Sequence, residues 1–323
     1  MENFNTRLDV SQVLDAVEKV KAEFAKIIVG QDAAIELIIA AILADGHVLI
    51  EGVPGVAKTL TAKILARTIN TAFSRIQFTP DLMPSDVLGT SVFNTKTSDF
   101  EFRQGPIFSN IVLIDEINRA PAKTQSALFE VMEERQITID GKTYLMPPPF
   151  MVVATQNPVE QEGTYRLPEA QLDRFLFKIA ISYPSQEEEV SILQGMHLRK
   201  GFNDLNVLQP VLSVSEIEAF REIIQNVHVE PKLFQYIANI IQETRRSGDI
   251  FLGASPRASI YLMAASKALA VMQGRDFITP EDVKFMALPI LRHRIILTPE
   301  KEMEGFSEDD VVKRIMEKVE VPR

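Results

Sequence analysis

The segment that most constrains this chain is Gly52-Val53-Pro54-Gly55-Val56-Ala57-Lys58-Thr59. It matches the phosphate-loop pattern G-x-x-x-x-G-K-[ST] everywhere except Ala57, where the second glycine belongs. An apolar run at 47–50 precedes the segment, and a helical pattern follows it through Ile64 and Leu65. A strand, a glycine-containing turn and a helix in this order predict backbone N–H groups converging on phosphate oxygens at a helix N-terminus.

Two side chains of the loop have direct roles in this interpretation. Lys58 is predicted to neutralise the β- and γ-phosphates of a nucleotide, and the Thr59 hydroxyl to bind Mg²⁺. Ala57 can replace glycine if its backbone stays helical. The remaining nucleotide-binding positions are predicted to be Gly52, Val53, Pro54, Gly55, Val56, Ala57 and Leu60. The alternative is an ordinary strand–turn–helix connection with a solvated lysine.

A pair of acidic residues follows the apolar run at 111–114. Four consecutive apolar residues indicate a buried central strand, and carboxylates at its end would face a nucleotide crevice. Asp115 is predicted to hold Mg²⁺ through water, and Glu116 to orient and polarise the attacking water. Both acids could instead cap the next helix. Because a phosphate loop lies upstream, we favour the catalytic interpretation.

A polar side chain follows a further apolar strand. The run at 150–154 leads into Thr155-Gln156-Asn157-Pro158. An amide at this strand end, beside the acidic pair, can hydrogen-bond the γ-phosphate or the attacking water. Asn157 would otherwise be a plain turn residue before Pro158. In series with the other two motifs, the functional interpretation is the stronger one.

Apolar periodicity predicts helices over 11–29 and 32–44, and strands at 75–78, 111–114 and 150–154. Strands that alternate with helices predict a parallel sheet wrapped by helices.

Two further segments interrupt the alternation and read as hairpins. One covers about 91–103 and turns near Thr97-Ser98, and the other covers 136–145, where Asp140-Gly141 suits a tight type I′ turn.

The pattern changes near residue 185. Beyond it there is almost no strand-like alternation, and helix-start signals such as Ser255-Pro256 and Thr279-Pro280 recur. We therefore predict an α/β nucleotide-binding domain over 1–185 and an all-α domain over 186–323. The acidic run at 187–189 is predicted to be the solvated first turn of a helix.

Composition excludes several classes of protein. The chain has 34 lysines and arginines against 44 acidic residues, a net charge of −10, and no cysteine. Disulfides and thiol chemistry are therefore excluded, and a nucleic-acid partner is disfavoured because no basic face is indicated. The start Met1-Glu2-Asn3-Phe4 lacks a leader pattern, and the richest apolar stretch, 35–43, is too short to span a bilayer. We expect a cytoplasmic protein without a membrane anchor.

These motifs, in this order, resemble those of an AAA+ ATPase and, more narrowly, of the MoxR family. The resemblance implies a P-loop NTPase core with a parallel sheet and β-hairpin insertions, followed by an all-α lid domain. It also removes the objection to Ala57, because the family commonly has Ala-Lys-Thr there. The stretches that carry it are Val29-Gly30-Gln31, the loop at 52–59, 115–120, 127–134, 154–158 and 167–175.

The resemblance implies roles for residues outside the three strand-end motifs. Arg174 matches an arginine finger that reaches the γ-phosphate bound by a neighbouring subunit, and Arg257 matches the second sensor on the lid. Surface ion pairs are the alternative for both arginines. Val29 and Gly30 would meet adenine, although Gly30 is also explained as a helix C-cap. Arg119 is a weaker candidate for an intersubunit contact.

The implied activity is Mg²⁺-dependent ATP hydrolysis by a homo-oligomer, a hexameric ring, that remodels or matures a protein client. The resemblance also implies a separate partner with a von Willebrand factor A domain. The hairpins would face the ring pore or a client, or be plain extensions of the sheet. The alternatives are the ATPase subunit of a metal chelatase, a nucleotide-gated scaffold with negligible turnover and, least favoured, a DNA-directed motor.

Overall fold

The computed structural model describes residues 8–157, 165, 167–199 and 205–322. Helices in the described ranges are α1 (Ser11–Ala25), α2 (Asp32–Leu43), α3 (Lys58–Thr68), α4 (Pro84–Leu88), α5 (Ala122–Glu134), α6 (Glu169–Leu172), α7 (Gln186–Arg199), α8 (Val214–Gln225), α9 (Pro231–Arg246), α10 (Pro256–Met272), α11 (Pro280–Leu291), α12 (Pro299–Met303) and α13 (Glu308–Lys318). Strands are β1 (Val48–Gly52), β2 (Phe73–Gln77), β3 (Gly89–Asn94), β4 (Asp99–Gln104), β5 (Ile111–Asp115), β6 (Gln136–Ile139), β7 (Lys142–Leu145), β8 (Met151–Gln156), β9 (Phe177–Ile181), β10 (Ile250–Leu252) and β11 (Ile296–Leu297). A 3₁₀ turn at Ile117–Arg119 joins β5 to α5.

The central sheet has five parallel strands in the order β2-β5-β8-β1-β9. Four of them are the strands predicted from apolar runs, with ends shifted by one or two residues, and the parallel sheet is confirmed. The fifth, β9, was missed by the sequence interpretation. Lys178 interrupts its apolar run, and β9 pairs only with β1 within the described sheet, so it carries a weaker signal than the buried strands.

Alternate side chains of the sheet pack into two separate cores. In β1, Val48 and Ile50 join the core formed with α1, α2 and α3, whereas Leu49 joins the core on the opposite face. The same alternation in β5 places Leu113 with the first core and Val112 with the second. Because side chains of a strand point to opposite faces in turn, near-continuous apolar runs are what a sheet covered on both faces requires.

Residues after α7 form a mainly helical unit. The first core of the sheet continues into α8, α9, α10, α11 and α13, so apolar packing crosses the predicted boundary at 185/186. We retain that boundary as a proposal. The expectation of an entirely α-helical second domain needs one correction, because β10 and β11 form an antiparallel ribbon. Strands of three and two residues are too short to produce a detectable alternation.

Both predicted hairpins are present, and each forms its own two-stranded sheet, β3–β4 and β6–β7, apart from the central sheet. Asp140 and Gly141 both have positive φ, at 52° and 75°, as a type I′ turn requires. The hairpins contact each other: the Ser91 hydroxyl donates to the Asp140 carboxylate, and the Phe102 and Tyr144 rings lie 4.6 Å apart. The hairpins are therefore paired projections and do not extend the central sheet.

None of the helices within the described ranges is both long enough and apolar enough to cross a membrane.

Candidate active site

The order of the central sheet brings the three strand-end motifs together. Strand β8 lies between β5 and β1, so the residues that follow these parallel strands share one edge of the sheet. The loop after β1, Asn157 after β8, and Asp115 and Glu116 at the end of β5 therefore lie side by side. The carboxyl edge of a parallel sheet is where ligands bind in open α/β folds.

The phosphate loop contains two residues with left-handed backbone. Gly55 has φ +89°, and Ala57, which caps α3, has φ +60° and ψ 18°. The condition stated for alanine at this place, a helical backbone, is therefore not met, because Ala57 adopts the left-handed conformation. A left-handed residue with a Cβ costs about 1–2 kcal/mol, which explains why glycine is the usual choice at this place.

Lys58 is held by carbonyl groups at the ends of two neighbouring strands. Its Nζ donates to Gly52 O at 2.6 Å and to Gln156 O at 3.4 Å. The ammonium therefore lies between the ends of β1 and β8, beside the loop whose N–H groups would face phosphate. Thr59 and Leu60 follow in the first turn of α3 and are half-buried.

Asp115 is buried at the end of β5 and is paired with Arg75 of β2. Arg75 Nε donates to Asp115 Oδ2 at 2.6 Å, and the Thr155 hydroxyl donates to Oδ1 at 3.2 Å. The sequence interpretation missed Arg75. The register between β2 and β5, which pairs Gln77 with Asp115, is what brings β2 side chains to the acidic pair.

Glu116 follows with a left-handed backbone at φ +57°. Its N–H donates to Thr155 Oγ1 at 3.1 Å, and its Oε2 accepts from Gln77 Nε2 at 2.8 Å. Arg119 Nε lies 3.2 Å from the same Oε2, so Arg119 has a partner within its own chain. These contacts turn the Glu116 carboxylate toward the end of β2, while Asn157 lies buried beyond β8.

A pocket of about 480 Å³ lies beside the phosphate loop. It is lined by the turn at 29–31, loop residues 55–57, the chain after β9 and the first turns of α7. Gln31 Nε2 donates to Val56 O at 3.1 Å and ties the turn to the loop. Val29 and Gly30, which are predicted to meet the base of a nucleotide, both line this pocket.

The acidic run forms the first turn of α7 as predicted, with Glu187 and Glu189 exposed, but Glu188 is half-buried and lines this pocket. Gly30 has φ +75°, and a Cβ there would collide with the Glu188 carboxylate. Glu188 Oε2 accepts from Ser185 N–H at 2.7 Å, which caps α7. The close approach of Gly30 to this helix was not readable from the sequence, because it depends on how α7 packs.

Arg174 and Arg257 lie at the other edge of the sheet. Leu176 N donates to His47 O at 2.8 Å, so the segment that carries Arg174 adjoins the residue before β1. Arg257 Nη2 donates to Glu133 Oε1 at 2.6 Å, and Arg174 Nε lies 3.6 Å from Oε2 of the same carboxylate. A five-residue strand spans roughly 16 Å, so neither arginine is brought to the phosphate loop of its own chain.

The donor set at the carboxyl edge fits a magnesium ion. Mg²⁺ takes oxygen ligands, keeps several waters, and is often held by one or two protein groups together with substrate phosphates. The Thr59 hydroxyl and the Asp115 carboxylate provide such groups. Among the described residues no cluster of three or more histidine or acidic side chains forms a separate metal cage. Both residues remain predicted ligands.

Comparison with known proteins gives a consistent result. Residues 47–177 match the model of the ATPase family associated with various cellular activities (AAA), and 242–315 match an AAA lid domain. The chain is 44% identical to the chaperone MoxR1 of Mycobacterium tuberculosis over 95% of this chain and 82% of that protein. It is 30% identical to the protein MoxR of Methylorubrum extorquens, over 95% and 96%. A crystal structure of a candidate ATPase from Cytophaga hutchinsonii is 42% identical, with a TM-score of 0.89 over 97% of both chains.

Proposed function

Because this chain belongs to the MoxR family of AAA+ ATPases, we propose that it hydrolyses Mg·ATP at sites shared between subunits of a ring and uses the energy to remodel a protein client. The observation that carries the proposal is the separation of the motifs across the sheet. The phosphate loop and acidic pair occupy the carboxyl edge, and the two arginines occupy the amino edge.

The carboxyl edge supplies the groups that hydrolysis needs. The loop N–H groups and Lys58 bind the phosphates, and Thr59 with Asp115 would hold Mg²⁺, which neutralises phosphate charge. Glu116 accepts a proton from the attacking water as it aims the water at the γ-phosphate. Asn157 donates a hydrogen bond to the γ-phosphate or the water. The adenine base of the nucleotide would lie in the pocket between the turn at 29–31 and α7.

Charge that develops on the transferred phosphoryl group requires further donors. Arg174 and Arg257 are the candidates, and their position at the amino edge supports delivery to a neighbouring subunit. A head-to-tail contact of this kind forms a closed ring if the rotation closes, and we propose a hexamer. The sensor role of Arg257 then operates between subunits, together with Arg174.

The paired hairpins are the proposed contact with the client. Phe93 and Phe100 face each other across β3 and β4 with ring centroids 5.3 Å apart, and both are at least half exposed. Exposed aromatic surface is typical of protein contact sites. We propose that lid motion after hydrolysis moves these hairpins, and that a separate protein with a von Willebrand factor A domain recruits the client.

The test is phosphate release from Mg·ATP by the full chain across a protein-concentration series, with mass measured at each point. We expect specific activity to rise with assembly and to be lost in Arg174→Ala and Arg257→Ala. Glu116→Gln should abolish turnover while sparing ATP binding. Arg246→Ala, an exposed arginine of α9, is the matched control.

A mixing experiment separates shared sites from sites within one subunit. Arg174→Ala keeps an intact carboxyl edge, and Glu116→Gln keeps an intact arginine, so a mixture contains some complete shared sites. Partial recovery of activity on mixing supports the proposal. If the two variants form mixed rings and the mixture stays inactive, the proposal of shared sites is contradicted. A negligible rate of ATP hydrolysis at every protein concentration, in a chain that stays monomeric, would favour the nucleotide-gated scaffold. Insertion of a metal ion in the presence of a chelatase partner would favour the ATPase subunit of a metal chelatase.

A further inference from the structure

Glu133, in the last turn of α5, is the common partner of the two arginines at the amino edge. Its Oε1 accepts from Arg257 Nη2 at 2.6 Å, and its Oε2 lies 3.6 Å from Arg174 Nε. The two guanidinium groups come from segments that are far apart in the chain, yet each faces its own oxygen of one carboxylate. All three side chains are about one-third exposed, so a second molecule can reach them.

The three segments that meet here are fixed by buried contacts. His47 Nε2 bonds Met132 O at 3.1 Å, which anchors the last turn of α5 beside the start of β1. Buried Arg294 pairs with Asp173 Oδ1 at 2.7 Å and also bonds Leu176 O, so it holds the segment that carries Arg174. The Ser255 hydroxyl donates to Asp173 Oδ2 at 2.9 Å and fixes the start of α10. The arginines are therefore presented together in the isolated subunit.

The acceptor that both arginines contact has the chemistry of a phosphoryl group. A carboxylate and a γ-phosphate both offer anionic oxygens to guanidinium donors, and arginine binds both in the same planar geometry. Arg174 and Arg257 together carry two positive charges, of which Glu133 neutralises one. A terminal phosphate carries more negative charge than a carboxylate and can accept from both groups at once.

We propose that Glu133 occupies, in the isolated subunit, the position that the γ-phosphate of a neighbour's nucleotide takes in the assembly, so that its carboxylate sets the nucleotide concentration at which subunits associate. This inference rests on the proposed delivery of the arginines to a neighbouring subunit. Association must displace Glu133 from both arginines, and afterwards the carboxylate still lies near a phosphate of like charge. Both effects oppose assembly and therefore raise the nucleotide concentration at which it occurs.

The test is sedimentation velocity of the full chain across a titration with Mg²⁺ and the non-hydrolysable analogue AMP-PNP. Glu133→Gln removes the charge and keeps the length of the side chain. We expect half-assembly at a nucleotide concentration at least about threefold lower than for the wild type, as the loss of two partly exposed ion pairs predicts. Glu134→Gln, the exposed neighbour in α5, makes the same change of net charge and should leave the midpoint unchanged.

A double-mutant cycle isolates the route of the effect. In an Arg174→Ala/Arg257→Ala background, Glu133→Gln should shift the midpoint by less than in the wild type, because the ion pairs are gone and only the repulsion between the carboxylate and the phosphate is left to remove; an equal shift in both backgrounds would overturn the inference. Glu133→Asp, which withdraws the carboxylate, should shift the wild-type midpoint in the same direction by less. Thermal unfolding of each variant shows whether it folds. If Glu133→Gln does not fold, Glu133→Asp takes its place in the titration.

The outcomes separate this inference from the proposed function. If the wild type assembles with AMP-PNP but does not hydrolyse ATP, the proposed hydrolysis fails while a lowered midpoint in Glu133→Gln still supports the inference. If Glu133→Gln assembles at the same or a higher concentration, the inference alone is overturned. A wild type that never assembles with nucleotide overturns both the inference and the shared site.

Discussion

Gln77 Nε2 donates a hydrogen bond of 2.8 Å to Glu116 Oε2, although the two residues belong to the ends of different strands. The parallel pairing of β2 with β5 places them next to each other, since Gln77 is opposite Asp115 in the register. The carboxylate proposed to activate water is therefore oriented by an amide outside the motifs that the sequence analysis singled out.

Gln77→Leu should lower kcat for ATP hydrolysis by about threefold to thirtyfold while KM changes by less than about twofold. A general base contributes roughly 10²–10⁴ to a rate, and losing its orienting donor forfeits part of that contribution. Steady-state phosphate release measures both constants, and Gln77→Asn, which keeps an amide, should recover part of the rate. An unchanged kcat in Gln77→Leu would show that this contact does not position Glu116.

Arg75→Gln should reduce the Mg²⁺ concentration needed for half-maximal activity by about twofold to fivefold. Arg75 Nε lies 2.6 Å from Asp115 Oδ2, so the guanidinium competes with a cation for that carboxylate. The effect is modest because the Arg75 side chain is 49% exposed and solvent screens the pair. A Mg²⁺ titration at saturating ATP measures it, with the exposed Arg67→Gln as the control. A variant that needs more Mg²⁺ than the wild type would contradict the competition.

His47 should make the protein less stable in acid. Burial, together with the nearby charge of Arg135, lowers the pKa of His47 from its ordinary value near 6.5 to about 3. Below pH 6.5 the unfolded chain therefore binds a proton on His47 that the folded chain does not bind. The contribution of neutral His47 to the free energy of unfolding is complete above pH 6.5 and is lost toward pH 3, at about 1.4 kcal/mol per pH unit.

Urea unfolding of wild type and His47→Asn between pH 8 and pH 4 tests this linkage. The variant should start less stable, because Val152 N–H donates to His47 Nδ1 at 2.9 Å, and should lose less stability on acidification. The exposed His228→Asn is the matched control. Parallel pH profiles for His47→Asn and wild type would refute the assignment of this slope to His47.

Arg294→Met should destabilise folding by about 3–5 kcal/mol, because it leaves Asp173 without its buried partner. The Arg294 side chain is 1% exposed, and its guanidinium also bonds the backbone carbonyls of Leu176 and Ile290. Urea denaturation at pH 7.5 measures the loss, with Arg246→Met on the surface as the control. A decrease in the free energy of unfolding of less than about 1 kcal/mol would show that the packing of the lid against the core does not depend on the pair of Arg294 with Asp173.

Local patterns in the sequence determined most of the fold. Four of the five strands of the central sheet, both hairpins and the helix starts at Pro256 and Pro280 follow from apolar runs, turn residues and capping residues that act on their immediate neighbours. The phosphate loop and the acidic pair were also found, because their spacing reflects a strand followed by a phosphate or metal contact. The edge strand β9 and the short ribbon were missed because their patterns are brief.

Tertiary structure decided which of these pieces meet. The strand order places Asn157 between the phosphate loop and the acidic pair, and it brings Gln77 and Arg75 to Glu116 and Asp115. No periodicity encodes such contacts, since strand order depends on packing between segments distant in the chain. For the same reason the family resemblance predicted a sensor role for Arg257 but could not predict its location. Only the docking of the lid against the amino edge of the sheet brings it to Glu133, beside Arg174 and away from the phosphate loop of its own chain.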